Sequence, residues 1–318
     1  MISLPGVSDV HVDRLLTNIS IAALNDPGDY IATKVFPVIQ VKKVSDKIPL
    51  YDQFAWLADE AKPRSPGTES EGSGWTVSSD SYLCENYAHH KDVPLEARAN
   101  ADEPYNLDEE AAMYTVDRML MRMEVKFGTD FFVTGVWGTS LDLNGSGQVQ
   151  WDVSTSPILK HVDTAKLTVG DKIVKEPNVA VLGRYVWSAI KQHPDVIGKM
   201  ETTTTRIVTE DLVRALFELD RLYIGRAIKA TSKQGQTLTK ARVIGKNALF
   251  LYVTDRPARL TPNAGYTFYW TVLGPGVPVY TRRINMPLKQ ADRIESQIYY
   301  DSKMTSIDAG YMFINAVD

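Results

Sequence analysis

The sequence predicts an α+β fold in two parts, and three observations lead there. Residues 106–134 carry apolar side chains at three- and four-residue steps, the pattern of one long amphipathic helix. From Trp151 to about Val253, short helical stretches alternate with short strand-like ones. Strand-like runs bounded by turn residues occupy 39–93 and 277–318 on either side. With 318 residues, 44% hydrophobic and 23% charged, the chain suffices for two domains of about 150 residues each.

Residues 1–38 combine a helix-like stretch, Asp13 to Leu24, with the turn Asn25-Asp26-Pro27-Gly28. They are too few and too polar to bury a core of their own, so they are expected to lie as an arm on another surface. Residues 39–93 read as strands Ile39 to Val44, Trp75 to Leu83 and Tyr87 to His90, interrupted by Pro63, Pro66 and a Gly/Ser/Glu-rich stretch 67–74. A strand pair is marginal in isolation. A long hairpin carrying Phe54, Trp56 and Trp75 therefore needs something to cover, the alternative being a flap on its own domain.

Asn106 followed by Asp108, Glu109 and Glu110 reads as a helix N-cap with acidic residues where the helix dipole favours them. Ala112, Val116, Met119, Leu120, Met123, Phe127 and Phe131 then mark the buried stripe, and the methionines at 113, 119, 121 and 123 read as core. After Trp151, Pro177-Asn178 is a turn, Val179 to Leu182 a buried strand, and Gly183 the small residue at the switch into a helix bearing Val186, Trp187 and Ile190. His193-Pro194-Asp195 ends that helix. In the tail, Val277 to Tyr280, Arg293 to Tyr300 and Tyr311 to Ala316 are expected to return to a sheet beneath the long helix.

Chemistry-bearing patterns are weak. His89-His90 with Asp92 suggests a metal site, but adjacent residues of a strand point to opposite faces. His193 with Asp195 suggests an acid–base pair, but the position is better read as a helix end beside the C-terminal dipole. Phosphate-loop, dinucleotide, nucleophile-elbow and zinc-protease patterns are missing from the sequence, so no catalytic residue, cofactor or metal is expected. A single cysteine, Cys84, cannot form an internal disulfide. Net charge of −4 and a pI near 5.8 argue against a dedicated nucleic-acid binder; the lysines and arginines at 229, 233, 240, 242 and 246 read as a solvated face or a contact with acidic residues of another copy. Apolar runs are too short for a membrane helix and the first residues do not form a secretion signal, so cytoplasmic synthesis without membrane association is expected.

In their order and spacing, these phrases resemble the major capsid proteins of tailed bacteriophages, which share the Hong Kong 97 phage-type shell fold. The resemblance rests on Trp151 to Pro157 before a helix, Pro177 to Leu182, the His193-Pro194 step, Leu212, Leu216 and Phe217, Leu222 to Ala227, and Gly245-Lys246-Asn247 opening Ala248 to Val253. It implies an N-terminal arm (1–38), an extended loop (39–93) draped over a neighbouring subunit, a peripheral domain (94–150 and 277–318) with a spine helix at about 106–134 and an antiparallel sheet, and an axial domain (151–276). It further implies self-assembly into pentamers and hexamers of an icosahedral head enclosing double-stranded DNA, with only weak non-specific contact to that DNA. The location would be the virion, after assembly in the host bacterial cytoplasm. Partners would be other copies, a portal, a decoration protein and, because the arm begins almost at Met1, a separate scaffold protein. Leu15, Leu16, Ile19, Phe54, Trp56 and Trp75 are the candidate intersubunit anchors. An encapsulin-like nanocompartment shell, or a two-domain soluble hydrolase or sugar-binding protein, are the rival readings.

Overall fold

The computed structural model describes residues 25–51, 57–101, 106–200, 208–233, 235–257, 260–273 and 279–318. After a turn at Pro27–Asp29 and a one-turn helix, Ala32–Val35, come strands β1 (Val38–Val41), β2 (Ser45–Tyr51), β3 (Val77–Leu83) and β4 (Glu85–Pro94). A short helix, Leu95–Ala99, and the long helix, Leu107–Phe131, lead to β5 (Thr139–Asp142), the helix Ile158–Ile173 and β6 (Val179–Gly183). Helices Arg184–Ile190, Pro194–Met200 and Glu210–Leu216 precede β7 (Arg221–Gly225), β8 (Ile228–Ala230), β9 (Lys240–Arg242) and β10 (Ala248–Leu251). The chain finishes with β11 (Gly265–Trp270), β12 (Tyr280–Met286), β13 (Ala291–Met304) and β14 (Gly310–Ile314).

The long helix starts where the sequence places it: the Asn106 side chain accepts from the N–H groups of Asp108 (3.2 Å) and Glu109 (3.4 Å). It ends at Phe131, a little short of 134. Its buried stripe is Ala111, Thr115, Met119, Met123, Glu124, Phe127 and Phe131, rotated from the expected one at its N-terminal half. Thr115 replaces Val116 because its hydroxyl meets that of Ser296 at 2.8 Å, which satisfies a buried polar group. Met113, expected in the core, is 68% exposed.

Beneath this helix lies the first sheet, organised around β13. Tyr300 of β13 pairs with both Glu85 of β4 and Tyr269 of β11, so those two strands flank it on opposite sides. β12 pairs with the first half of β13, on the same side as β11, and β1 adds to β11 in parallel. The second sheet has the order β5-β14-β10-β6-β7. Every residue of β6 and β10 is buried, as befits strands covered on both faces.

This pairing groups the strands differently from the expected order along the chain. β14 joins the second sheet, against β10 and β5, and does not return beneath the long helix. Its run Gly-Tyr-Met-Phe-Ile is buried on both faces for its first four residues, whereas β13 mixes buried and half-buried positions, and its last four residues are all half-buried. Likewise β11, within the segment expected to be axial, joins the first sheet, and β5, expected to be peripheral, joins the second. β1 and β4, expected in the extended loop, are also first-sheet strands.

The Trp151–Val253 region otherwise follows the expectation closely. Trp151 is wholly buried, its ring 4.9 Å from that of Phe313 and its indole N–H donating to His161 Nδ1 at 3.1 Å. Asn178 closes its turn with both ends of its carboxamide, accepting from Val253 N–H and donating to Val253 O at 2.9 Å each. Gly183 must be glycine: a Cβ there would lie 2.1 Å from the carbonyl oxygen of Gly245.

Candidate assembly surface

β2 and β3 pair only with each other, in the register Ser45↔Leu83 to Tyr51↔Val77. The base of this hairpin is anchored. The Tyr82 ring stacks on Phe268 at 4.5 Å, Leu83 N–H donates to Asp301 at 3.0 Å, and Lys303 pairs with Asp80 at 3.2 Å. Cys84 is buried against the same cluster, and burial pushes its thiol up to about 11, so it is a packing residue with little nucleophilic character.

Away from the base the hairpin is mostly open to solvent. Trp75 is 59% exposed and Val77 52%, with Leu57 exposed as well, and at the base the Leu83 side chain is 54% exposed. Between the hairpin and the body runs a cleft of about 640 Å³, bordered by Ile48, Leu50 and Leu57 on one side and Val174, Leu260 and Tyr266 on the other. Exposed apolar side chains beside such a cleft make it a candidate interaction site. Of the expected anchors, Trp75 is among the described residues. Leu15, Leu16, Ile19, Phe54 and Trp56 lie outside the described residues.

A second projecting feature escaped the sequence reading. Leu288, in the turn Pro287–Lys289 between β12 and β13, is fully exposed. Ion pairs stiffen the turn's footing: Asp292 is held by Arg98 (2.9 Å) and Arg283, and Asp92 by Arg293 (2.7 Å). Those guanidinium hydrogen bonds hold both carboxyls below their usual range. An apolar residue immediately after proline in a hairpin turn was the available signal.

The basic set falls largely on the β8–β9 hairpin, whose strands also pair only with each other. Arg226 pairs with Glu210, and the Arg242 guanidinium sits 5.6 Å from the Tyr185 ring centre. Among the described residues, Lys229, Lys233, Lys240 and Lys246 make no intrachain ion pair.

The two weak chemical candidates resolve into structure. His193 is buried; its Nε2 bonds Val153 O at 3.0 Å and its Nδ1 accepts from Asp195 N–H at 3.2 Å. It therefore caps the start of the helix Pro194–Met200, correcting the expectation that it serves the end of the preceding one. Asp195 in turn accepts from Leu159 N–H at 3.2 Å, tying two helices together. The His89 ring packs beside Tyr114 at 5.6 Å. Among the described residues, no group of three histidine, cysteine or acidic side chains is placed to hold a metal ion, and no helix is long and apolar enough to cross a membrane.

No family model matches the chain. Two curated relatives do, over nearly the whole length of both partners. The major capsid protein of Burkholderia phage BcepMu is 25% identical over 310 residues, 95% of each chain. That of Pseudomonas phage JBD67 is 27% identical over 314 residues, 96% of this chain and 97% of its own. Among solved structures, a phage-related protein from Bordetella bronchiseptica RB50 superposes with a TM-score of 0.70 at 25% identity, covering 92% of this chain and 94% of its own. The capsid of cyanophage P-SCSP1u gives 0.65 at 11% identity over 98% and 95%. The SrpI encapsulin of Synechococcus elongatus gives 0.57 at 12% identity over 100% and 98%. Relatives matched end to end are phage major capsid proteins and the fold is that of phage capsids, so the chain belongs to the phage major capsid proteins of the Hong Kong 97 phage-type fold.

Proposed function

We propose that this capsid protein acts by self-assembly alone, with pentamers and hexamers closing into an icosahedral head around double-stranded DNA. The observation that carries the reading is the β2–β3 hairpin, anchored at its base and open to solvent, with Trp75 and Val77 more than half exposed. In this reading the hairpin is the extended loop and lies on the next subunit, with Trp75, Phe54 and Trp56 as anchors there and Leu15, Leu16 and Ile19 as anchors of the arm. The sheet under the long helix is the peripheral domain and the other sheet the axial domain.

Head-to-tail association requires two different surfaces on each copy. Two such features lie towards opposite ends of the strand β13: the hairpin base beside Asp301 and the Leu288 turn just before Ala291, about 35 Å apart at the usual rise per residue. The unpaired lysines of the β8–β9 hairpin would meet acidic residues of the next copy around a ring. No catalytic step belongs to this function. A separate scaffold protein, a portal and a decoration protein are the expected partners, and assembly would take place in the host cytoplasm. Net charge of −4 supports only weak, non-specific contact with the packaged DNA.

An encapsulin-like shell around protein cargo is the second reading, favoured by the overlap with the SrpI encapsulin across the whole chain. Negative-stain microscopy of the expressed full-length protein tests assembly, and nuclease protection of particles from producing cells tests contents. Shells, tubes or rings with protected DNA are expected. A small uniform oligomer would overturn the shell function, and shells holding protein without DNA would favour the second reading.

A further inference from the structure

A buried carboxylate fastens residues 30–36, within the segment expected to be the arm, to the long helix. Glu124 is wholly buried on that helix, and its Oε2 accepts from the backbone N–H groups of Ile31 (2.9 Å) and Ala32 (2.8 Å). It thereby caps the helix Ala32–Val35, whose own N-cap residue, Ile31, supplies no side-chain acceptor. Seven residues earlier, on the same helix face, Asp117 accepts from the Tyr30 hydroxyl at 2.5 Å. Phe36 completes the attachment, its ring 5.6 Å from Phe127 and 5.0 Å from Phe131.

The other oxygen, Oε1, is buried without a hydrogen-bond partner among the described residues. An anion held by donors on one oxygen only is poorly compensated for its lost water. The neutral acid keeps both N–H bonds through Oε2 and sheds the charge. We propose that Glu124 is a proton-controlled clamp: protonated, it holds residues 30–36 on the long helix, and deprotonated, it loosens them. The proposal does not rest on the shell-forming function.

Burial pushes the Glu124 carboxyl up to about 7, against the pull of the two N–H donors, which favours the anion. The charges acting on it sit on the clamped segment: Lys34 favours the anion and Asp29 opposes it. On the helix, Asp117 is engaged by Tyr30 and by Arg118 at 3.0 Å. The sheet beneath brings the Tyr269 hydroxyl to the neighbouring Met123, and burial raises it so that it stays protonated throughout. Glu124 is thus the member of this contact that changes charge near neutrality.

Hydrogen exchange of the full-length protein at about pH 6 and about pH 8, corrected for intrinsic rates, tests the clamp. Peptides covering 30–36 should lose protection several-fold at the higher pH, while those of β6 and β10 stay unchanged. Glu124→Gln keeps an acceptor for the two N–H groups and carries no charge, so it should hold the segment at both pH values. Glu124→Ala removes the cap and should leave the segment open at both. Equal wild-type protection of 30–36 at the two pH values would overturn the proposal whatever the variants do. So would a Gln variant that keeps the wild-type pH response.

Discussion

The second sheet and the β2–β3 hairpin handle apolar side chains in opposite ways. β6, β10 and most of β14 bury both faces, and Phe313 packs its ring against Phe250 at 5.7 Å and Trp151 at 4.9 Å. The hairpin buries Tyr82 at its base and leaves Trp75, Val77 and Leu83 more than half exposed. One region therefore determines whether the subunit folds, and the other has apolar surface left for a contact outside the subunit. The two roles should separate under mutation.

The largest effect on folding is expected at Phe313→Ala, which should cost about 3–5 kcal/mol, the usual range for a fully buried phenylalanine. Denaturant unfolding of the full-length variant measures it. A loss below about 1 kcal/mol would show that the sheet tolerates a cavity there, and the contrast with the hairpin would fail.

Next comes pH. Glu124 has a folded pKa raised from 4.5 to about 7. Its burial therefore costs nothing below the unfolded value, and the cost grows as pH rises, reaching on the order of 3 kcal/mol above the folded value. Asp92 and Asp292 act in the opposite sense. Hydrogen bonds from Arg293 and Arg283 depress their pKa values, so their contribution is present above the ordinary carboxylate pKa and disappears as pH falls through the folded ones. The urea midpoint should peak between about pH 4.5 and pH 5.5. In Glu124→Gln the decline on the alkaline side should vanish. A midpoint that rises steadily to neutrality would contradict both assignments.

How much of this was readable beforehand depended on the distance along the chain between the groups that decide it. Pro177 to Ile190 was legible because its turn, apolar run, glycine and helical spacing are neighbours in sequence, and the structure adds only that Gly245 is what Gly183 must clear. β11 and β14 were misassigned because an apolar strand does not announce its partner; Gly265–Trp270 and Gly310–Ile314 look alike in composition yet join different sheets. Glu124 was invisible for a related reason. A charged residue beside Met123 reads as solvated, and the two N–H groups that make its burial tolerable come from residues more than ninety positions away. Among the exposed apolar side chains, Trp75 could be singled out as an aromatic in a polar stretch, whereas the full exposure of Leu288 needed the geometry of its turn.

A smaller effect probes the helix on which the first sheet rests. Asn106→Ala removes the cap on Asp108 and Glu109 and should cost about 1 kcal/mol in the same unfolding measurement. No detectable change would mean that packing against β4 and β13 alone fixes where the helix begins.

The smallest effect on folding, and the sharpest test of the comparison, belongs to the hairpin. Trp75→Ala combined with Val77→Ser alters two side chains that are more than half exposed, so subunit stability should stay within about 1 kcal/mol of the parent. Assembly should respond far more strongly. Truncating a central aromatic anchor typically costs about 2 kcal/mol or more at each interface, and a closed shell repeats that loss at every subunit. Particle yield by sedimentation should therefore collapse while the unfolding midpoint barely moves. Were the midpoint to drop as far as in Phe313→Ala, these side chains would be folding determinants of their own subunit, and the distinction between the buried sheet and the open hairpin would have no functional meaning.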